Sequence, residues 1–324
     1  MKKKSFLTML CTMICCVAFG ATAQRTILSH NGTLTQYDSN HWMEAIGNAV
    51  EGDTVYFTSG AFTGVVTITK PIVLIGAGAT SPDDDYFWRS VYNDYCVENE
   101  TYVENFHINI PGSITLTKCM FEGMHIGSIT IQKSISGLSC KRCRCSGLRM
   151  GDKDQNTDVI VTGLVLESCF IVGLDYYDAT FSNIDIHNCI LGNLFNREVE
   201  NVTFTNCALT NDCGGFANDH FVNCIIKGGY WEHQTFVNSV TTDGHTSTSS
   251  YTNCKVSSED PTSMTAAVLQ SKGYLGNDGK VVGPLGGSTP FTLRPSQPYI
   301  SSSTLSYSSS TKKLSVNVTV KQGQ

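Results

Sequence analysis

The chain has 324 residues, 41% of them hydrophobic and only 15% charged, with 22 Lys and Arg against 28 Asp and Glu. The resulting net charge of −6 disfavours nucleic acid and anionic lipid as partners, since both are gripped through basic patches. The length suffices for a large core, in one elongated domain or two compact ones.

Residues 1–23 read as a secretory signal peptide. Lys2, Lys3 and Lys4 form a basic start, an apolar run follows from Phe6 to Gly20, and Ala21-Thr22-Ala23 has the small-x-small pattern of a cleavage site. The mature chain then starts at Gln24, with 19 basic and 28 acidic residues and a net charge of −9. The apolar run is short for a membrane span, and no later stretch offers the ~18 apolar residues a span needs. The expectation is an exported protein, periplasmic, cell-surface or extracellular, and not integral to the membrane.

Trp42, Ile46 and Val50 recur at helical spacing within residues 40–52, so a short N-terminal capping helix is expected there. Gly52-Asp53 turns the chain. Val55, Phe57, Val66, Ile68, Val73 and Ile75 then alternate as inward strand residues, closing at Gly76-Ala77-Gly78. An insertion follows, SPDDDYFWRSVYNDY from Ser81 to Tyr95. Its acids Asp83, Asp84 and Asp85 offer oxygen ligands suited to calcium, the one cofactor the sequence admits. Trp88 could stack on a sugar face.

The strongest signal is internal repetition. Aligned on cysteine, the segments ITLTKCMF, LSCKRCRC, LVLESCFI, IDIHNCIL, VTFTNCAL, HFVNCII, TFVNSVT and SYTNCKV share one register. One column reads Cys119, Cys143, Cys169, Cys189, Cys207, Cys224, Ser239 and Cys254. The residue before it reads Lys118, Arg142, Ser168, then Asn188, Asn206, Asn223, Asn238 and Asn253. Apolar residues stand three before the cysteine, from Leu116 to Tyr251, and two after it, from Phe121 to Val256. The alternation slips by one at the Asn, which would turn the apolar set outward unless the chain bends there. Asn tolerates the left-handed conformation such a bend requires. Each repeat therefore reads as strand, one-residue corner, strand, and stacked repeats give a solenoid of parallel strands. The spacings of 24, 26, 20, 18, 17, 15 and 15 residues suit a right-handed parallel β-helix, the last two being short for a coil.

Three readings of the cysteines compete. Eleven remain in the mature chain, an odd number that cannot all pair. The main column suits a buried ladder of small apolar residues, as reduced cysteine behaves. Stacked strands ~4.8 Å apart have spacings a disulfide tolerates, but parallel side chains suit its twist poorly. Cys140, Cys143 and Cys145 have metal-like spacing, yet all three fall in inward columns, so no metal is assigned. Cys96 and Cys213 lie off the ladder.

The loops after the ladder strands carry the candidate chemistry. They hold Tyr176, Tyr177 and Asp178, then Arg197, Asp212, Trp231, Glu232 and His233, and finally Asp243 and His245. In successive coils these would form a strip of aromatics, acids and histidines along one side. A coil rise of ~4.8 Å is close to one sugar unit, aromatic rings suit sugar faces, and paired carboxylates can serve as acid and base. The carboxylates of that scheme are Asp178, Asp212, Glu232 and Asp243. The proposed contacts to glycan are Tyr176, Tyr177, Arg197, Trp231, His233, His245 and Trp88.

HWMEAIGNAVEGDTVYFTSGAFTGVVTITKPIVLIGAG resembles the opening of secreted right-handed parallel β-helix proteins of the pectin-lyase-like class. DGKVVGPLGGSTPF, from Asp278 to Phe291, resembles a closing segment found after such helices in bacterial surface proteins. The resemblance spans roughly residues 40 to 295 and implies an all-β fold and export, not a reaction, because this fold hosts lyases, hydrolases and adhesins alike. The aspartate motifs of its hydrolase branch and the calcium-site motifs of its lyase branch are not intact here: Thr242-Asp243-Gly244-His245 is followed by Thr. The expected organisation is a signal peptide over 1–23, a β-helix over 24–295, and over 296–324 a hairpin of two alternating runs about a turn at Ser308 to Lys312. The expected function is recognition or processing of polysaccharide. A lyase or glycoside hydrolase using the rim carboxylates, and an adhesive or structural surface protein, are the alternatives.

Overall fold

A computed structural model gives the fold. It describes residues 24–79, 101–110, 120–150, 159–176, 179–195, 199–200, 202–210, 216–228, 233–242, 244, 246–293, 299–308 and 313–321. These form a parallel β-solenoid with few helices. Its first sheet stacks Thr54–Phe57, Val73–Gly78, the start of Phe121–Ile131, Ser139–Lys141, Val165–Glu167, Asp185–His187, Thr203–Thr205, His220–Val222, Thr235–Val237 and Ser250–Thr252. The second stacks Gly60–Ile68, Thr101–Ile108, the remainder of Phe121–Ile131, Arg144–Met150, Phe170–Tyr176, Ile190–Phe195, Ala208–Leu209, Ile225–Ile226, Val240–Thr241 and Lys255–Val256. A third, shorter sheet holds Ile135–Ser136, Val159–Thr162 and Ala179–Ser182.

The corner between the first two sheets is the one the repeat calls for. Arg142, Ser168, Asn188, Asn206, Asn223, Asn238 and Asn253 all have positive φ, between 49° and 55°. The register holds through the last coil despite its short spacing. It fails at the first: Phe121 pairs with Cys140 and Ile126 with Cys145, so the column position expected for Cys119 belongs to Met124. Gly123 makes the corner there, at φ 62°, because glycine enters that region without a Cβ penalty. Cys119 lies outside the described residues.

A second corner, absent from the cysteine alignment, lies five residues upstream. Gly137, Gly163, Asn183, Asn218 and His233 occupy it, with φ from 55° to 83°. Its residues share only tolerance of the left-handed region, not identity, so the pattern is faint in the sequence.

Both corners face the same physical problem. A bend takes the next backbone N–H out of the ladder, and a buried orphan donor is costly. Side chains of the following coil supply the acceptor. The Cys169 N–H donates to Cys189 Sγ, that of Cys207 to Cys224 Sγ, and that of Cys224 to Ser239 Oγ at 3.0 Å. Each of these side chains shares its one hydrogen between two carbonyls, as Cys207 does between Ile186 O and Thr205 O, both at 3.3 Å. The column is therefore a hydrogen-bonding ladder and not only an apolar one, which explains why Ser239 fits it. At the second corner the Val202 N–H donates to Asp219 Oδ1, that of Asp219 to Gln234 Oε1, and that of Gln234 to Ser249 Oγ.

Inside, Phe204, Phe221, Phe236 and Tyr251 stack with centroids 4.8, 5.0 and 4.8 Å apart and planes within 16°. Aromatic pairs prefer offset or edge-on contact; here the coil rise imposes the face-on stack.

The N-terminal end is closed by helix Trp42–Asn48 and by a hairpin, Arg25–His30 with Thr33–Asp38. Trp42, Ala45, Ile46 and Ala49 are buried, while Val50, expected on that face, is 47% exposed beyond the helix. Trp42 meets Phe57 and Phe62 edge-on. The Asp53 carboxylate holds the turn by accepting from Val50 N, with His30 Nδ1 at 2.8 Å. In Val73–Gly78 the inward residue is Leu74, and Val73 and Ile75 are only half-buried: the chain enters that strand one residue out of the expected phase, with Ile72 buried before it.

The segment resembling a closing piece does not cover an end. After helix Ala266–Ser271 the chain returns along the flank. Val281 and Val282 pack on Ala208, Ile225 and Val240, and Leu293 packs on Phe170 and Ile190. These outward residues of the second sheet are apolar because this strap covers them. Asn188 Nδ2 donates to the Pro284 and Gly286 carbonyls, and Asn223 pairs with Asn277. The strap must pass close: a Cβ on Gly287 would lie 2.4 Å from Asn206 Nδ2. Tyr299–Ser308 and Lys313–Lys321 then form the expected antiparallel hairpin.

Candidate functional site

The second-sheet strands end at Tyr176, Phe195, Leu209, Ile226 and Thr241, one per coil. In register, Leu209, Ile226 and Thr241 share the column of Ile171 and Leu191, so the late strands end four to five residues short of Phe195 and Tyr176. Of the residues assigned to the rim strip, Tyr177, Asp178, Arg197, Asp212, Trp231, Glu232, Asp243 and His245 lie outside the described residues, as do Trp88, Asp83, Asp84, Asp85, Cys96 and Cys213. Tyr176 is in register with Met150, itself in register with Ile131, and both are fully buried. That register position is a core column. His233 is a second-corner residue at φ 57°, with an exposed side chain and a carbonyl that accepts from Asn218 N at 3.0 Å. Its backbone is committed to the stack whatever the ring contacts.

Two outward faces away from the rim carry polar groups. On the first sheet, Glu122, Lys141, Glu167 and His187 occupy one outward column in consecutive coils. Lys141 Nζ lies 2.7 Å from Glu167, Arg142 Nη1 lies 3.2 Å from Glu122, and His187 lies 3.9 Å from Glu167 and 3.3 Å from Asp185. Partial burial works to raise the Glu167 carboxyl, but the Lys141 ammonium, aided by His187 and Arg142, outweighs it and holds the group below its ordinary value. Alternating charges at the coil spacing neutralise one another and fix register, and no two carboxylates there share a proton. This column is legible in the alignment two residues before the cysteines.

The second sheet offers a different face. Its long strands present Asn105 and Ser128, hydrogen-bonded at 2.5 Å, with His107 and Gln132 at 3.3 Å. Thr130 and Arg149 follow in register with His107. Tyr102 meets His125 edge-on at 5.0 Å, and Arg144 lies over the Phe170 ring. Hydroxyl, amide, imidazole and guanidinium groups thus stand on rigid neighbouring strands, an arrangement suited to hydrogen-bonding a polyhydroxylated ligand.

The described cysteines offer no such site. Cys140, Cys143 and Cys145 are buried in three different inward positions, and no disulfide joins the described cysteines. Among the described residues no three His, Cys, Asp or Glu side chains are grouped as metal ligands would be. Burial raises the thiols of Cys143, Cys189 and Cys224 well above the ordinary range and that of Cys145 to about 12. On Cys169 and Cys207 burial is again the largest influence and acts upward, against hydrogen bonds from flanking thiols. In a row sealed from water the thiol is the form that fits all of them.

No protein-family model, no curated protein and no solved structure matches this chain.

Proposed function

We propose that this protein is exported and recognises a polysaccharide at or beyond the cell surface, as the resemblance to pectin-lyase-like proteins implies. The observation that carries this reading is the repeat geometry. Successive coils present equivalent side chains 4.8 Å apart, as the Phe204 and Phe221 rings measure it, and the described second-sheet strands stack in parallel, one per coil. A rigid array with that period can meet successive units of a chain-like glycan without reorganising, which lowers the entropic cost of binding. The polar outer face from Asn105 to Arg149 adds donors and acceptors of the kind sugar hydroxyls need.

The test is a panel of uronic-acid, host-type and neutral plant polysaccharides, with and without calcium. Binding, new reducing ends and ultraviolet-absorbing unsaturated products are read from the same samples. Binding without products, weakened by Trp231→Ala, is the expected result. Products lost on changing Asp178, Asp212, Glu232 or Asp243 would replace recognition by catalysis. Silence in every channel would overturn the polysaccharide reading and favour an adhesive or structural protein.

A further inference from the structure

The two ends of the first sheet match each other. At the C-terminal end, Ser250–Thr252 pairs with Thr235–Val237 and with no other described strand. Lys255 is exposed and Val256 is 51% exposed, although the same columns are buried one coil earlier at Val240 and Thr241, and Tyr251 and Cys254 are only half-buried where Phe236 and Ser239 are buried. The strap leaves this end uncovered because it runs back along the flank. At the N-terminal end, the outermost strand is Thr33–Asp38. Among the described strands it pairs only with Arg25–His30, and Leu34 is 42% exposed.

Strand direction decides what these edges fit. Arg25–His30 runs antiparallel to the coils, and Thr33–Asp38 runs antiparallel to it. The hairpin therefore restores the direction of the coil strands on the outermost edge. What sits on every inner coil of this sheet is a parallel strand of the next coil, and the edge of another molecule's Thr33–Asp38 has that polarity. Down the successive strand registers of the sheet, Leu34, Thr35 and Gln36 fall in the columns of Ser250, Tyr251 and Thr252. The match is uncharged and keeps every inward residue inward. Beside it, Lys255 on the second sheet's last strand, whose ammonium donates to the Gly273 carbonyl at 2.6 Å and lies over the Tyr274 ring, would bring its positive charge toward the helical cap, where Glu44 and Glu51 are exposed. The charges are complementary, whereas a tail-to-tail pair would set Lys255 against its own copy.

We propose that the occupant of each edge is a second copy of this chain, stacked head to tail so that Thr33–Asp38 of one molecule extends the first sheet beyond Ser250–Thr252 of the next. Such a contact is heterologous and does not close, so it propagates into a filament. It rests on the sheet edges alone and is independent of the polysaccharide reading.

Lysines on an edge strand block pairing. Leu34→Lys with Gln36→Lys closes the head, and Ser250→Lys with Thr252→Lys closes the tail. Mass in solution is read by light scattering across a range of concentrations, with circular dichroism confirming that each variant folds. The parent should grow in mass with concentration, each blocked variant should stay at monomer mass, and their equimolar mixture should give twice the monomer mass and no more. A parent that stays monomeric overturns the proposal. So does a head-blocked variant that still self-associates, which would mean tail-to-tail pairing, or a mixture that remains monomeric.

Discussion

The early coils, from Ser139 to Phe195, and the late coils, from Val202 to Val256, build the same solenoid with different chemistry. Early corners use Arg142, Ser168 and Asn188, and late corners use Asn throughout. The second-corner row is apolar early, at Leu138, Leu164 and Ile184, stays apolar at Val202, and turns polar at Asp219, Gln234 and Ser249. The interior column holds Cys140, Leu166 and Ile186 early and the aromatic stack late. Outside, the early coils carry the ion ladder, while the late ones carry Thr205, Val222, Val237 and Thr252. The fold thus demands a left-handed corner, an acceptor after it and an apolar filling, and it accepts several residues for each demand.

The largest expected effect breaks the demand common to both halves. Cys207→Asp puts a carboxylate into a fully buried column, and the protein should fail to fold, read by circular dichroism. A variant that melts like the parent would show that the column does not face inward. Phe221→Ala should cost about 3–5 kcal/mol in chemical denaturation, because it opens a cavity in the middle of the stack. The equivalent early change, Ile186→Val, should cost only about 0.5–1.5 kcal/mol. Asn206→Ala should cost about 1–2 kcal/mol, as alanine tolerates the left-handed region poorly. Ser168→Asn converts an early corner to the late type and should raise the melting temperature slightly; a loss would mean that the corners are not interchangeable.

The smallest effect belongs to the ion ladder. Glu167→Gln should cost about 0.5 kcal/mol or less, the usual worth of a solvent-accessible pair. The Glu167 carboxyl is lowered in the folded state, so its contribution is present above the unfolded carboxylate pKa and fades as pH falls through the folded one. Parent and variant should therefore converge in acid. A difference that persisted there would assign the effect to packing.

Much of this was readable beforehand. The Asn column announced the corner because few residues other than glycine tolerate positive φ, and the alternation around it fixed which residues face inward. The Cys119 register misled because the cysteine there imitated a column that Met124 fills, with Gly123 in place of Asn. The hairpin at Arg25–Asp38 carried a usable signal, Asn31-Gly32 between two alternating runs. The strap could not be read locally, since its glycines make sense only beside Asn188, Asn206 and Asn223, far away in sequence. The candidate site was less legible still. Its loops have no period of their own, and the polar face of the second sheet arises from register between strands that no short motif records.

The thiol ladder has a kinetic consequence. Each coil from Cys143 to Cys224 buries one thiol in that row, and Cys254 at the open end is only half-buried. A solenoid opens by separating neighbouring coils, one at a time from a weak end. Each thiol is therefore a clock for its own coil, silent to an alkylating reagent until that coil detaches. Labelling followed by mass spectrometry would time the opening along the axis without any introduced probe. Cys254 should be modified first, and the order in which Cys224, Cys207 and Cys189 follow would show whether the strap, which is anchored at Asn223 and Asn188, holds the late coils together as one unit.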